Sequence, residues 1–190
     1  GAVRPPSVQD TSAGRINVDT RPARLAAIAS VASAAISTVF MVRRTHPEVT
    51  FTIVGTNPIP EVVALAGLRG VEVTGRVEDL KPWIQRATML VAPMRFGAGI
   101  KNKVLEAMAV EKPVVTNSTG VEAMAPEVRD LLCIADTPID FAAEVCALLE
   151  EPSRRRDLGV RGREVMARLH SWDTAAEAYE CLFEELVATV

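Results

Sequence analysis

From residue 49 onward, short apolar runs recur at a regular interval, and a helix-like segment separates each from the next. The runs are "VTFTIVG" (49–55), "VEVTG" (71–75), "TMLVAPM" (88–94), "PVVTN" (113–117) and "LLCIA" (131–135). Between them lie "PEVVALAG" (60–67), "DLKPWIQRA" (79–87) and a helix expected to begin near Ile100. Strands this short and this continuously apolar must be buried on both faces, and consecutive strands joined through helices pair in parallel. The fold class is therefore α/β, a doubly wound parallel sheet. From Pro138 to Val190 the pattern is helical throughout, broken by Pro152 and by "HSW" at 170–172. No repeat or low-complexity tract interrupts it.

The first 45 residues read differently. Residues 1–22 are polar and contain prolines, and only "RINV" at 15–18 could pair as a strand, so this stretch is expected to be an arm or linker. From Pro22 to Arg44 the spacing of Leu25, Ile28, Ala32, Ala35 and Val39 predicts a helix with one apolar face, ended by His46 and Pro47. Residues 25–42 carry no charge and are bracketed by Arg21, Arg24, Arg43 and Arg44, the outline of a membrane span. The many alanines, the serine stripe at 30, 33 and 37, and arginines at both ends argue instead for a helix packed on the sheet. A single domain over residues 23–190 is the expectation.

With 190 residues and 48% hydrophobic side chains, the chain can bury one full core. Its net charge of −3 and pI near 5.5 exclude the broad basic surface that nucleic acid selects. Cys133, Cys146 and Cys181 have no paired or metal-type spacing and sit among apolar neighbours, which predicts buried thiols in a reducing cytoplasm. His46 and His170 are expected at helix ends, outside any crevice. The chain begins at Gly1, which is compatible with a piece of something longer.

In a parallel sheet the loops leaving the C-terminal ends of the strands line one edge. Four glycine-containing turns fall there: "GTNP" (55–58), "GRVE" (75–78), "RFGAGIK" (95–101) and "STGVE" (118–122). Such turns let backbone amides approach an anion, and a helix opening after Gly97 and Gly99 would add its positive end. Lys101 stands poorly for that helix dipole and well for a phosphate. The core face of the helix takes Ile100, Val104, Ala107 and Met108, which leaves Lys103 and Glu106 outward. Glu106 then either pairs with Lys103 on a solvated face or accepts two hydrogen bonds from a ribose diol.

The order "FTIVG…VEVTGRVEDLKPWIQRATMLVAPMRFGAGIKNKVLEAMAVEKPVV…STGVEAM", with "HSWDTAAEAYECLFEEL" near the end, resembles the C-terminal, donor-binding domain of retaining GT-B glycosyltransferases bearing the "LEAMA.G.PVV" signature. The likeness runs over residues 47–190. It implies a Rossmann-like domain in which Glu106 holds the donor ribose, Leu105 beside it also belongs to the donor site, and Arg95, Phe96, Gly97, Ala98, Gly99 and Lys101 wrap the diphosphate. It further implies that Gly75, Arg76 and Val77 meet the base, and that Gly120 to Glu122 form another turn of the crevice. The helix from Trp172 resembles one that braces a second, N-terminal domain. Where the family usually has the first of two glutamates, Ala98 stands, so "GAGIKNK" is expected to use amides and lysines instead. No strand preceding the "RINVDTRPARL" stretch matches the family's first strand, which predicts a gap at the sheet centre. Either "RINV" or an arm exchanged between two chains of a homodimer would fill it.

Three functions follow as expectations. The first is the donor half of a glycosyltransferase that moves a hexose-type sugar from a UDP- or GDP-sugar to a glycan or lipid-linked acceptor, as in cell-surface polysaccharide biosynthesis. No metal is expected there, since the sequence has no Asp-x-Asp cluster, and without an acceptor-binding N-terminal domain or a partner chain the isolated chain should be inactive. The second is a non-catalytic Rossmann-like module that acts only with a partner. The third is a membrane-associated form held through residues 25–42.

Overall fold

The computed structural model describes residues 24–28, 32–94 and 101–188. They form a six-stranded parallel sheet in the order β3-β2-β1-β4-β5-β6, with helices on both faces. The strands are β1 (Arg24–Ile28), β2 (Thr50–Val54), β3 (Val71–Gly75), β4 (Met89–Ala92), β5 (Val114–Thr116) and β6 (Cys133–Ile134). The helices are α1 (Ala32–Thr45), α2 (Pro60–Val63), which runs on into a 3-10 turn at Ala64–Gly67, α3 (Lys81–Arg86) and α4 (Asn102–Ala109). After β5 come α5 (Ser118–Val121) and α6 (Pro126–Arg129), and after β6 come α7 (Pro138–Glu150), α8 (Pro152–Leu169) and α9 (Trp172–Ala188). Every strand expected between 49 and 135 forms, and the doubly wound class holds.

The helix expected from Pro22 to Arg44 is corrected. Its first part is β1, paired with β2 on one side (Leu25 opposite Phe51) and with β4 on the other (Leu25 opposite Met89), and only Ala32–Thr45 is helical. The segment "RLAAI" has the composition of a helix, because alanine is a poor strand former. Tertiary pairing overrides that preference. A central parallel strand satisfies its backbone groups from two neighbours at once, and no other described segment occupies this place. The expectation that the first strand is lacking is therefore overturned. With the centre filled from within the chain, the reason for a replacement strand or an exchanged arm falls away; "RINV" lies outside the described residues. The membrane reading of 25–42 is overturned with it, since that stretch holds most of β1 and the greater part of the 14-residue α1. Among the described residues no helix is long and apolar enough to cross a membrane.

Alternation along the strands divides the core in two. Met89, Val91 and Val115 join Leu25, Val42, Phe51, Ile53, Val145 and Leu148 beneath α1 and α7. Leu90, Ala92 and Val114 join Ile84, Val104, Ala107, Met108, Val128 and Met166 beneath α3, α4 and α8. β4 and β5 are buried along their whole length, as strands covered on both faces must be. Helix α8 approaches the end of α4 so closely that a Cβ on Gly159 would lie 2.4 Å from the carbonyl oxygen of Glu111. Glu111 itself is left-handed (φ 61°) and is held by an ion pair with Arg163 at 2.8 Å.

The cysteines differ from the expectation of three buried thiols. Cys133 is buried, and desolvation, helped by a hydrogen bond with Glu144, pushes its thiol up to about 12. Cys146 is half-buried beside Thr45, while Cys181 is exposed on α9, none of whose residues is buried. The apolar neighbours of Cys181 in sequence gave a misleading cue, because their helix covers no core.

In the native protein near neutral pH, a thiol reagent should modify Cys181 quickly and Cys133 only after unfolding, as mass spectrometry of labelled peptides would read. Gly159→Ala should destabilise by about 1–3 kcal/mol in denaturant melts, since backbone rather than a flexible side chain meets the added methyl group.

Candidate functional site

With all six strands parallel, their C-terminal ends and the turns that follow lie along one edge. The sheet order reverses between β1 and β4, and the crevice of such a sheet opens there. Of the residues expected in it, Arg95, Phe96, Gly97, Ala98 and Gly99 lie outside the described residues, as does Ile100. The rest can be placed.

Gly75 ends β3 with φ 67°, and its carbonyl accepts the amide of Gly55 at 3.2 Å, which joins the turn after β2 to the turn after β3. Beyond it Arg76 is exposed and Val77 half-buried. Two strands separate β3 from β4, so this turn stands about 14 Å along the edge from the exit of β4. At the other end, Gly120 is buried in α5 and Glu122 is exposed just after it.

Helix α4 starts two residues later than Ile100. Lys101 is half-buried at the cap position, and its carbonyl accepts the amide of Val104 at 2.8 Å. The first turn carries Lys103 and no acidic residue, so nothing on the helix itself complements the positive end of its dipole. Val104, Ala107 and Met108 are buried, as the spacing predicted, and Leu105 is half-buried. Glu106 is exposed, and no hydrogen bond or ion pair among the described residues engages its carboxylate. The surface pair with Lys103 is thus not formed.

Glu106 lines an open groove of about 720 Å³ between α4 and the α8–α9 junction, with Asn102, Leu105, Arg163, His170 and Trp172 around it. His46 and His170 both stand at helix ends, and His170 borders the same groove as Glu106. Sequence distance concealed this, because α8 returns to α4 only in the folded chain. A second cavity, about 320 Å³, is lined by Arg24, Thr50, Glu72, Trp83 and Arg86. Thr52 and Val54 line it too, so it runs along one face of β2 from the first residue of the strand to the last.

Two further polar residues build the crevice edge and were not singled out from sequence. Asn117, just after β5, donates from Nδ2 to the carbonyl of Met94 at 2.6 Å and accepts the amide of Met94 on Oδ1 at 3.1 Å. Asp136, just after β6, accepts the amide of Ser118 at 2.8 Å and its hydroxyl at 2.7 Å. The backbone hydrogen bond from Ser118, and then that from its hydroxyl, hold the Asp136 carboxyl below its usual range. The available cue was position: each is a polar residue immediately following an apolar strand. Among the described residues no cluster of three or more His, Cys, Asp or Glu side chains could hold a metal ion.

Solved structures share this fold at low identity. TarM superposes with a TM-score of 0.71 at 17% identity, over 86% of this chain and 35% of TarM. The C-terminal domain of a glycosyl transferase group 1 family protein, LpcC from Francisella tularensis, matches at 0.66 and 16%, over 79% of this chain and 87% of that domain. HepE from Anabaena, crystallised with UDP and glucose, matches at 0.67 and 11%, over 90% of this chain and 49% of HepE. The chain thus spans a third to a half of the length of TarM and HepE. A family model described as glycosyl transferases group 1 matches residues 24–151, starting at β1 and so earlier than residue 47, the start of the likeness by motif. The chain belongs to the glycosyl transferases group 1 family.

Proposed function

We propose that this chain binds a nucleoside diphosphate sugar along the C-terminal edge of its sheet and acts as the donor-binding part of a glycosyl transfer reaction. The observation that carries the reading is the Glu106 carboxylate: exposed, engaged by no described group, and set in an open groove on a helix of a group 1 fold. Its two oxygens suit the vicinal hydroxyls of a ribose. The turn at Gly75, Arg76 and Val77 follows β3 on the same edge of the sheet and suits the base. On the side of the ribose away from the base, Lys101 and the sequence of residues 95–100 suit the diphosphate, and the start of α4 offers a positive end with no acidic residue of its own. Lysine, amides and a helix terminus aimed at a leaving diphosphate stabilise the charge that develops on it. The UDP bound by HepE supports a nucleotide of this class. A hexose-type sugar and a glycan or lipid-linked acceptor complete the proposal.

The acceptor would be held by a second wall. Helix α9 leaves Trp172, Tyr179, Leu182, Phe183 and Leu186 exposed, at helical spacing that gathers them into one stripe. An apolar stripe of this kind fits another domain or a partner chain. This observation also favours the second reading, a module whose activity depends on that partner.

Titration of the chain with UDP, GDP and their sugars tests the proposal directly, because a ligand of the folded state raises the melting temperature. Glu106→Ala should weaken nucleotide-sugar binding by about 1.5–3 kcal/mol, the scale of hydrogen bonds to a charged group, with little loss of stability. Lys101→Ala should weaken a nucleoside diphosphate far more than the nucleoside. Absence of any nucleotide-dependent shift would defeat the donor-binding reading. The chain by itself should catalyse no more than slow donor hydrolysis, since transfer needs an acceptor hydroxyl held against the anomeric carbon. Robust transfer by a confirmed monomer, followed by product mass, would show that no second wall is needed.

A further inference from the structure

One face of β2 is apolar and the other is largely polar. Phe51 and Ile53 enter the core beneath α1 and α7, while the half-buried Thr50 and Thr52 stand on the opposite face, along the cavity of about 320 Å³. Glu72 on β3 lines the same cavity, and its Oε2 accepts the Thr52 hydroxyl at 3.3 Å. A doubly wound sheet ordinarily covers both faces with apolar contacts, so a polar strip here calls for a polar occupant. Helix α3 supplies the other wall. It has six residues, buries Ile84 in the core shared with α4, and places Trp83 and Arg86, three positions apart, at the cavity.

Two hydrogen bonds bring a second arginine to Arg86. Arg24 donates its amide to Thr88 Oγ1 at 3.1 Å and accepts the Thr88 amide on its carbonyl at 2.7 Å. The chain leaving α3 is thereby fastened to the first residue of β1, and Arg86 stands two positions before the fastening. The Arg86 guanidinium lies over the Trp83 ring, 5.9 Å from its centroid, which restrains a side chain that would otherwise swing freely. No described carboxylate pairs with Arg24 or Arg86, although Glu72 borders the same cavity. The register keeps them apart. Arg24 lies opposite Thr50 and Glu72 opposite Thr52, so their Cα atoms are two strands and two residues apart, about 12 Å. The cavity is cationic at one end and carries a carboxylate and hydroxyls at the other, on a chain whose net charge is −3.

We propose that this cavity is a second small-molecule site, one that takes a phosphorylated sugar or polyol, with the phosphate at Arg24 and Arg86 and the alcohol groups at Thr50, Thr52 and Glu72. Two guanidinium groups match a phosphate dianion, which each meets with paired N–H donors. A carboxylate accepts hydrogen bonds from alcohols and disfavours a second anion at its own end. The volume falls at the lower end of the range for small-ligand sites. None of Gly75, Arg76, Val77, Lys101 and Glu106 lines this cavity, so the inference stands independently of the donor-binding reading.

Calorimetric titration of the 190-residue chain with glucose 6-phosphate and glycerol 3-phosphate, beside glucose, glycerol and inorganic phosphate, tests the assignment. At least one ester should bind roughly tenfold or more tightly than inorganic phosphate and than its own unphosphorylated alcohol, the scale of one hydrogen bond to a charged group. Arg24→Ala and Arg86→Ala should each weaken that ester about tenfold. Glu72→Ala should weaken the ester and leave inorganic phosphate no weaker. Lys101→Ala should leave the ester's affinity at the wild-type value. Arg86→Ala, at an exposed position of α3, serves alone if Arg24→Ala does not fold. Three results would each overturn the inference: neither ester binds, neither binds more tightly than inorganic phosphate, or the loss appears in Lys101→Ala and not in the arginine variants.

Discussion

Pairing of β1 on both of its edges is the constraint on which the rest of this structure depends. A five-residue strand at the centre of the sheet joins β2-β3 on one side to β4-β5-β6 on the other. Without it each half would carry a row of unmet backbone groups inside the molecule, at a cost of the order of 1–3 kcal/mol for each group. Its presence also sets the point at which strand order reverses. The turns at Gly75 and Gly120 stand on one edge of the sheet because parallel strands deliver all their C-terminal ends to the same side.

Along that edge the chain relies on side chains where the ladder runs out. Thr116 and Asn117 extend the hold of β5 on β4, and Asp136 extends that of β6 on the turn at Ser118. These bonds tie consecutive exits together, from Met94 through α5 to the residue after β6. Such ties fix the course of the backbone where the strands end. The cores on the two faces serve the same end: α4 is seated by Val104, Ala107 and Met108, and Glu106 is turned outward as a consequence.

Helix α9 stands in contrast. It is as regular as α7 and α8, yet none of its residues is buried, and its apolar stripe faces outward. Helix propensity and amphipathic spacing suffice to form such an element, but they leave its apolar face without a counterpart among the described residues. The exposure of Cys181 has the same origin.

The sequence by itself determined the class, the strands from β2 to β6, the buried face of α4 and the outward placement of Glu106. These follow from local periodicity, which is a property of consecutive residues. It misplaced β1, because "RLAAI" has helical preferences and becomes a strand only through partners 26 and 64 positions away, as the pairs Leu25–Phe51 and Leu25–Met89 record. It missed Asn117, Asp136 and the place of His170 beside Glu106 for the same reason: each matters through a group far off in the chain. What only the tertiary structure decided was which distant backbone groups and side chains meet, since hydrogen bonds of this kind are selected by the assembled sheet and leave no period in the sequence that forms them.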